Sequence, residues 1–208
     1  MSSGRGARGY VLAGGASSRF GTDKAFAALE GKSMLSRTVE LLAPVCSTVA
    51  IVAPSSKSND ANVGTILDRW PGEGPLGGIL TALSDAGRKA APDSWIVILS
   101  CDMPFLTHDW LAYLVQRASP STAEAIVPRS AHGFEPLCAC WRTSAEETIS
   151  AAFDSGIRKV TEALSKLRTE VLDEKDWKRF DSSGRLFWNM NTIADYEEAR
   201  RVIAAEKT

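Results

Sequence analysis

Hydrophobic and polar positions along the chain fall into two alternating rhythms. Gly9-Tyr10-Val11-Leu12-Ala13, Val49-Ala50-Ile51-Val52-Ala53 and Trp95-Ile96-Val97-Ile98-Leu99 are short, almost unbroken apolar runs. Such runs read as strands buried on both faces. Between and after them, apolar residues recur at helical spacing: Met34, Leu35, Val39 and Leu42; Ile79, Leu83 and Ala86; Leu111, Leu114, Val115 and Ala118. Ser33 and Thr107 are candidate caps for the first and third of these helices, and Pro44 ends the first. Residues 55–62 are polar and read as a loop. Farther on, Ala125-Ile126-Val127 predicts a short strand, residues 136–141 another and residues 169–172 an edge strand. Three more helical stripes follow, through Ile149, Ala152 and Phe153, through Val160, Leu164 and Leu167, and through Ala199, Val202 and Ile203. Thr143 and Glu146 have capping-box spacing ahead of the first of these stripes. Strand and helix in alternation predict an α/β fold, with a mainly parallel sheet covered on both faces.

Two glycine-rich stretches interrupt the rhythm. After the first strand comes Gly14-Gly15-Ala16-Ser17-Ser18-Arg19-Phe20-Gly21-Thr22-Asp23-Lys24, small residues with two cations. Backbone N–H groups in such a loop can line an anion-binding hollow, with Arg19 and Lys24 supplying charge. Two phosphate-loop templates do not fit. Five places after Gly15 stands Phe20, and five after Gly14 stands Arg19, so this is no Walker A loop. The adjacent glycines and the late Gly21 also break the Rossmann Gly-x-Gly-x-x-Gly spacing. The second stretch, Asp68-Arg69-Trp70-Pro71-Gly72-Glu73-Gly74-Pro75-Leu76-Gly77-Gly78, reads as a loop running into the second helix. In open α/β sheets ligands gather beyond the carboxyl ends of the strands. That rule puts both loops on one rim, together with Asp102, which follows the most apolar strand.

The chain has 208 residues, 44% of them hydrophobic, with a formal charge of −1. One large domain over residues 9–208 is the simplest organisation, with residues 1–8 as a flexible leader. No global charge draws the protein to nucleic acid or an anionic membrane, and no apolar run has the length of a membrane span. Cys46, Cys101, Cys138 and Cys140 show no Cys-x-x-Cys spacing, and there are only two histidines. Reduced thiols, no zinc site and a cytoplasmic location are the expectation.

A carboxylate at the rim can hold Mg²⁺, which takes carboxylate, water and phosphate oxygens. Asp102 is the candidate ligand, the alternative being a turn aspartate before Pro104. Asn189 and Asn191 alternate on an extended segment and face one side, where they can read a polar ligand or satisfy loop backbone. Met190 between them belongs to the core. Thr192 and Asp195 have the spacing of a capping box that starts the last helix.

Taken together these residues resemble a known family. Leu12-Ala13-Gly14-Gly15-x-Ser17-x-Arg19-Phe20-Gly21-x-Asp23-Lys24 resembles the opening signature of the molybdenum cofactor guanylyltransferases, the MobA type of nucleotidyltransferase. Gly74-Pro75-Leu76-x-Gly78, Cys101-Asp102-x-Pro104-Phe105 and Asn189-x-Asn191-Thr192 resemble its later motifs in the right order, and Glu135-Pro136-Leu137 another segment. The resemblance implies a three-layer αβα fold with a Rossmann-like sheet of the nucleotidyltransferase type. It also implies Mg²⁺-dependent transfer of GMP from GTP to molybdopterin, molybdenum-bound or not, with release of pyrophosphate. By position, Leu12, Ala13, Gly14 and Gly15 would meet guanine, and Gly74, Pro75 and Leu76 would belong to the GTP site. Lys24 would contact phosphate with Arg19 beside it, Asp68 would lie on the nucleotide side, Asp102 would bind Mg²⁺, and Asn189 and Asn191 would face the pterin. Proteins of cofactor assembly and recipient molybdoenzymes would be partners.

Related cytidylyltransferases typically carry alanine where this chain has Gly14, so Gly14→Ala is expected to lower the preference for GTP over CTP. Three positions depart from the family pattern: Phe20 for methionine, Ile193 for proline, and Ala53-Pro54 where asparagine is common. At the level of sequence three alternatives stay open: cytidylyl transfer to molybdopterin, transfer to a sugar phosphate, and a scaffold that binds nucleotide without catalysis.

Overall fold

The computed structural model describes residues 6–14, 28–55, 60–91, 93–181 and 183–205. The chain runs through β1 (Arg8–Leu12), a small ribbon of β2 (Ala28–Leu29) and β3 (Lys32–Ser33), α1 (Met34–Leu42), β4 (Thr48–Ala53), β5 (Thr65–Leu67) and α2 (Pro75–Lys89). Then come β6 (Trp95–Ser100), α3 (His108–Ala118), β7 (Ala125–Ser130), β8 (Gly133–Phe134), β9 (Cys138–Arg142), α4 (Ala145–Asp154) and α5 (Val160–Leu164). β10 (Thr169–Leu172), the one-turn α6 (Glu174–Trp177) and α7 (Ile193–Ala205) complete it.

The main sheet has the order β10-β7-β9-β6-β1-β4-β5, with β8 paired to β7. β1 lies at its centre, parallel to β4 on one side and β6 on the other. β9 runs antiparallel to both its neighbours and the two-residue β8 antiparallel to β7, so the mainly parallel expectation holds with two reversed strands. The layers follow from side-chain alternation along the strands. Val11, Val97 and Leu99 face one way and pack with Leu35, Val39 and Leu42 of α1 and Leu111 and Leu114 of α3. Tyr10, Leu12, Ile96 and Ile98 face the other way, onto Ile79, Leu80 and Leu83 of α2 and Ile149 and Phe153 of α4. Each face of β1 and β6 is thus fully covered, which is why their sequences carry no polar alternation. No described helix is long and apolar enough to cross a membrane.

Local signals hold in most places. Ser33 Oγ accepts from the Ser36 N–H at 3.0 Å and Thr107 Oγ1 from the Trp110 N–H at 3.2 Å, so both expected caps form. Residues 169–172 form the edge strand β10. Two expectations change. The Thr143–Glu146 box does not form, because Thr143 Oγ1 accepts instead from the Ser94 N–H at 3.0 Å and Ser144 becomes the cap residue. The second glycine stretch is shorter as a loop than it reads, since α2 begins at Pro75 and takes Gly77 and Gly78 into its first turn. Proline is favoured at that first helical position because its missing N–H would have no partner there.

A third cluster ties the chain's end to the rim. Met190, fully buried as expected, packs with Leu29, Met34, Ala199 and Ile203. Tyr196 Oη donates to the Ala28 carbonyl at 2.7 Å. The segment before α7 is thereby drawn back across the carboxyl ends of the strands.

Candidate active site

Parallel pairing sets the carboxyl ends of β1, β4 and β6 level: Leu12 stands opposite Val52 on one side and Ser100 on the other. A cavity of about 450 Å³ opens just beyond them, lined by Leu12, Gly14, Val52, Pro54, Asp68, Gly72, Gly74, Pro75, Gly78, Ser100 and Leu137. It is mostly apolar, with Asp68 and Ser100 as its polar side chains. Of the expected nucleotide residues, the structure brings Leu12, Gly14, Asp68, Gly74 and Pro75 together here. Ala13 and Leu76 sit behind the wall: both are buried, and the Ala13 N–H donates to the Val52 carbonyl at 2.8 Å. Gly15, Arg19 and Lys24 lie outside the described residues.

The second loop is held in place by specific contacts. The Trp70 ring packs on Phe153 of α4 at 5.3 Å between centroids, and Arg158 Nε donates to Glu73 Oε2 at 2.6 Å. Gly74 has a φ of 81°, the left-handed region that admits glycine without strain. A Cβ on Gly78 would stand 3.3 Å from Leu12 Cδ1, so its absence lets α2 approach β1 closely at the cavity floor. Asp68 has one oxygen committed to this arrangement. Its Oδ1 accepts from the Trp70 N–H at 3.0 Å and from the Thr81 hydroxyl at 2.9 Å. Among the described residues, Oδ2 takes no hydrogen bond.

Asp102 stands at the same rim, just past the end of β6, and is half-buried. Its Oδ1 accepts from the Ser100 hydroxyl at 2.6 Å. Its backbone carbonyl accepts from the Met190 N–H at 2.8 Å. That bond brings Asn189 and Asn191 to the Asp102 strand end. Asn191 is exposed, while Asn189 Nδ2 makes a 3.3 Å bond to the Phe187 carbonyl. The capping box on α7 forms: Asp195 Oδ2 accepts from the Thr192 N–H at 2.7 Å, and Thr192 Oγ1 from the Asp195 N–H at 3.1 Å.

Glu135 is the group whose importance the sequence left unstated. It is 7% exposed and accepts from the Ser130 hydroxyl at 2.6 Å. Burial pushes its carboxyl above the ordinary range and the charge of Asp102 adds to this, while the Ser130 hydrogen bond and His132 oppose it. Glu135 and Asp102 are therefore two carboxyl groups near one rim. Among the described residues no three His, Cys, Asp or Glu side chains converge as a complete metal cage. Such a donor set fits Mg²⁺, which is commonly held by one or two carboxylates and completed by water and substrate phosphates.

Ser100 and Thr81 also escaped the sequence reading. Each acts through a carboxylate, and only the period-two relation of Ser100 to Asp102 could have signalled either. A separate cavity of about 480 Å³, beyond Met103 and Pro104 against α1, holds charges that are already paired: Lys32 with Glu40 at 2.8 Å and Arg37 with Glu30 at 3.7 Å.

Comparison with known proteins gives one answer. Residues 9–169 match the family model described as MobA-like NTP transferase domain. The chain is 32% identical over 199 residues to the molybdenum cofactor guanylyltransferase of Desulfosudis oleivorans, covering 95% of this chain and 96% of that protein. It is 32% identical to a probable molybdenum cofactor guanylyltransferase of Chloroflexus aggregans, over 90% of each. Among solved structures, the molybdopterin-guanine dinucleotide biosynthesis protein A of Archaeoglobus fulgidus superimposes with a TM-score of 0.81 at 27% identity, covering 95% of this chain and 99% of that one. With its three-layer αβα fold and the glycine-rich stretch 72–78 at the rim, the chain belongs to the MobA-like NTP transferase family and is a nucleotidyltransferase.

Proposed function

We propose that the protein transfers GMP from GTP to the terminal phosphate of molybdopterin, free or carrying molybdenum, and releases pyrophosphate. The observation that carries this reading is the rim itself. A mostly apolar cavity, where Asp68 keeps one carboxylate oxygen unbonded among the described residues, lies beside Asp102, whose backbone carbonyl ties down the 189–191 segment. Guanine presents two adjacent donors, N1–H and the 2-amino group, and Asp68 Oδ2, left over from the Trp70 and Thr81 bonds, can accept from that edge. Cytosine offers one donor beside two acceptors, which a carboxylate repels. Asp68 therefore supports GTP over CTP.

Asp102 would hold Mg²⁺, which supplies neutralisation of the triphosphate charge. The neighbouring Glu135 adds negative potential that favours a cation there. Lys24 and Arg19 would meet the phosphates from the first loop, and Asn189 and Asn191 would orient the pterin. In the reaction an acceptor phosphate oxygen forms a bond to the α-phosphorus. The bond from that phosphorus to the bridging oxygen breaks, and its electron pair leaves with pyrophosphate. The attacking group is already an anion, so the chain need supply no strong base, only alignment and relief of repulsion.

The first test is binding selectivity. A nucleotide that binds only the native state raises its stability by RT ln(1 + [L]/Kd). GTP with Mg²⁺ is expected to raise Tm more than CTP at equal concentration, and EDTA is expected to remove most of that gain. Equal shifts for the two nucleotides would remove the case for guanine.

A further inference from the structure

The Gly14 and Pro54 positions meet in the cavity wall. A Cβ built on Gly14 would stand 3.2 Å from Pro54 Cδ and 3.9 Å from Cγ, and among the described residues, its chain neighbours aside, no other atom lies within 4 Å. The space beside Gly14 is therefore taken by Pro54. The ring cannot swing away as a flexible side chain can, because it closes on its own backbone nitrogen. Its backbone is also stitched on both sides of the strand end. The Val52 carbonyl accepts from the Ala13 N–H at 2.8 Å, and the Ala53 carbonyl accepts from the Asp68 N–H at 2.8 Å. These bonds tie the end of β1, the end of β4 and Asp68 to one another. Pro54 is itself exposed and lines the cavity.

We propose that Pro54 is a specificity-determining positioning residue: Gly14 and Pro54 act as one unit that sets the cavity wall, and a side chain at 14 alters nucleotide choice through Pro54. This rests on the nucleotide reading of the cavity. A methyl at 14 meets the ring at a separation that forces a shift of a few tenths of an ångström. The shift displaces either the 12–14 backbone or the strand end that holds Asp68. Pro54→Ala deletes Cδ and Cγ, the two atoms in the way, while the exposed position keeps the cost to folding small.

The test is a double-mutant cycle on nucleotide affinity, read by titration calorimetry with Mg-GTP and Mg-CTP in the absence of acceptor, with Tm recorded for each variant. Gly14→Ala is expected to lower the GTP/CTP affinity ratio by about tenfold, the size of a modest overpacking penalty. Adding Pro54→Ala is expected to bring the ratio back to within about threefold of the wild type. A double variant no better than Gly14→Ala, or a change in Tm with the ratio unmoved, overturns the proposal. Should Gly14→Ala not fold, the double variant still decides: a folded protein with the wild-type preference supports the contact as the cause, and one that stays unfolded refutes it. Wild-type protein that binds neither nucleotide would refute the nucleotide reading itself, a result distinct from uncoupled variants of a protein that does bind.

Discussion

At the scale of the residue the proposal assigns Asp68 to the base and Asp102 to the metal, and each can be changed without emptying the space it fills. Asp68→Asn keeps an oxygen for the Trp70 N–H and Thr81 but removes the charge. Hydrogen bonds to charged groups contribute about 1.5–3 kcal/mol, so GTP affinity is expected to fall by roughly tenfold to a hundredfold, with CTP affected much less. Titration calorimetry on the variant checks this. Asp102→Asn keeps the acceptor for the Ser100 hydroxyl, and its Tm is expected to stay within about 2 °C of the wild type. Its kcat/KM in the pyrophosphate-release assay is expected to fall on the order of 100-fold or more, as for loss of a well-placed electrostatic group. Full activity in a folded Asp102→Asn protein would remove this carboxylate from the chemistry. Asp102 stands out in the sequence because it follows the apolar run 95–99, whereas Asp68 is singled out only by the family resemblance, its short strand β5 being unexpected. Glu135 does not stand out, since its weight comes from burial and from the charge of a residue 33 places earlier along the chain, neither of which spacing displays.

At the scale of the element, α2 carries a built-in contrast. A Cβ on Gly77 would stand 3.0 Å from Trp70 Cβ and 3.1 Å from the Trp70 carbonyl oxygen, backbone that cannot yield cheaply. A Cβ on Gly87, farther along the same helix, would meet only Glu146 Oε2 at 3.0 Å, the far end of a flexible side chain. Gly77→Ala is therefore expected to destabilise by about 1–3 kcal/mol and to weaken GTP binding by pushing the second loop outward. Gly87→Ala is expected to stabilise by up to about 1 kcal/mol through helix propensity alone. Urea unfolding of the pair separates the two. The helix also marks where sequence reading stopped short. Four glycines and two prolines within eight residues read as a loop as far as Gly78, yet Pro75 already starts the helix. Gly77 and Gly78 at the start of α2 serve close approach to Trp70 and Leu12, a tertiary reason that no local propensity reports. The same holds for Thr143, whose hydroxyl went to Ser94, 49 residues away.

Across the whole molecule the three-layer plan was the most legible feature, because β1, β4 and β6 announce double-sided burial as continuous apolar runs. The reversed strand β9 was not, since Cys138-Ala139-Cys140-Trp141 reads alike in either direction. Burial, complete at Cys138 and partial at Cys46, also gives the fold an alkaline limit. Burial pushes Cys46 and Cys138 from 9.0 up to about 12, and Tyr10 from 10.0 up to about 12, its hydroxyl donating to Asp85 at 3.0 Å. The folded state therefore holds these protons at a pH where the unfolded chain releases them. Stability is full below pH 9 and is expected to fall as pH rises from about 9 toward 12, read as a declining urea midpoint. Tyr10→Phe is expected to cost about 1 kcal/mol at neutral pH and to flatten the part of that fall above pH 10. The most direct measurement of what the whole molecule does is product analysis with molybdopterin, Mg²⁺ and either GTP or CTP. The expected result is a guanine dinucleotide product with one pyrophosphate per turnover, preferred over the cytosine product and lost on chelation of the metal. Equal or greater turnover of CTP, or nucleotide consumption that does not require molybdopterin, would contradict it.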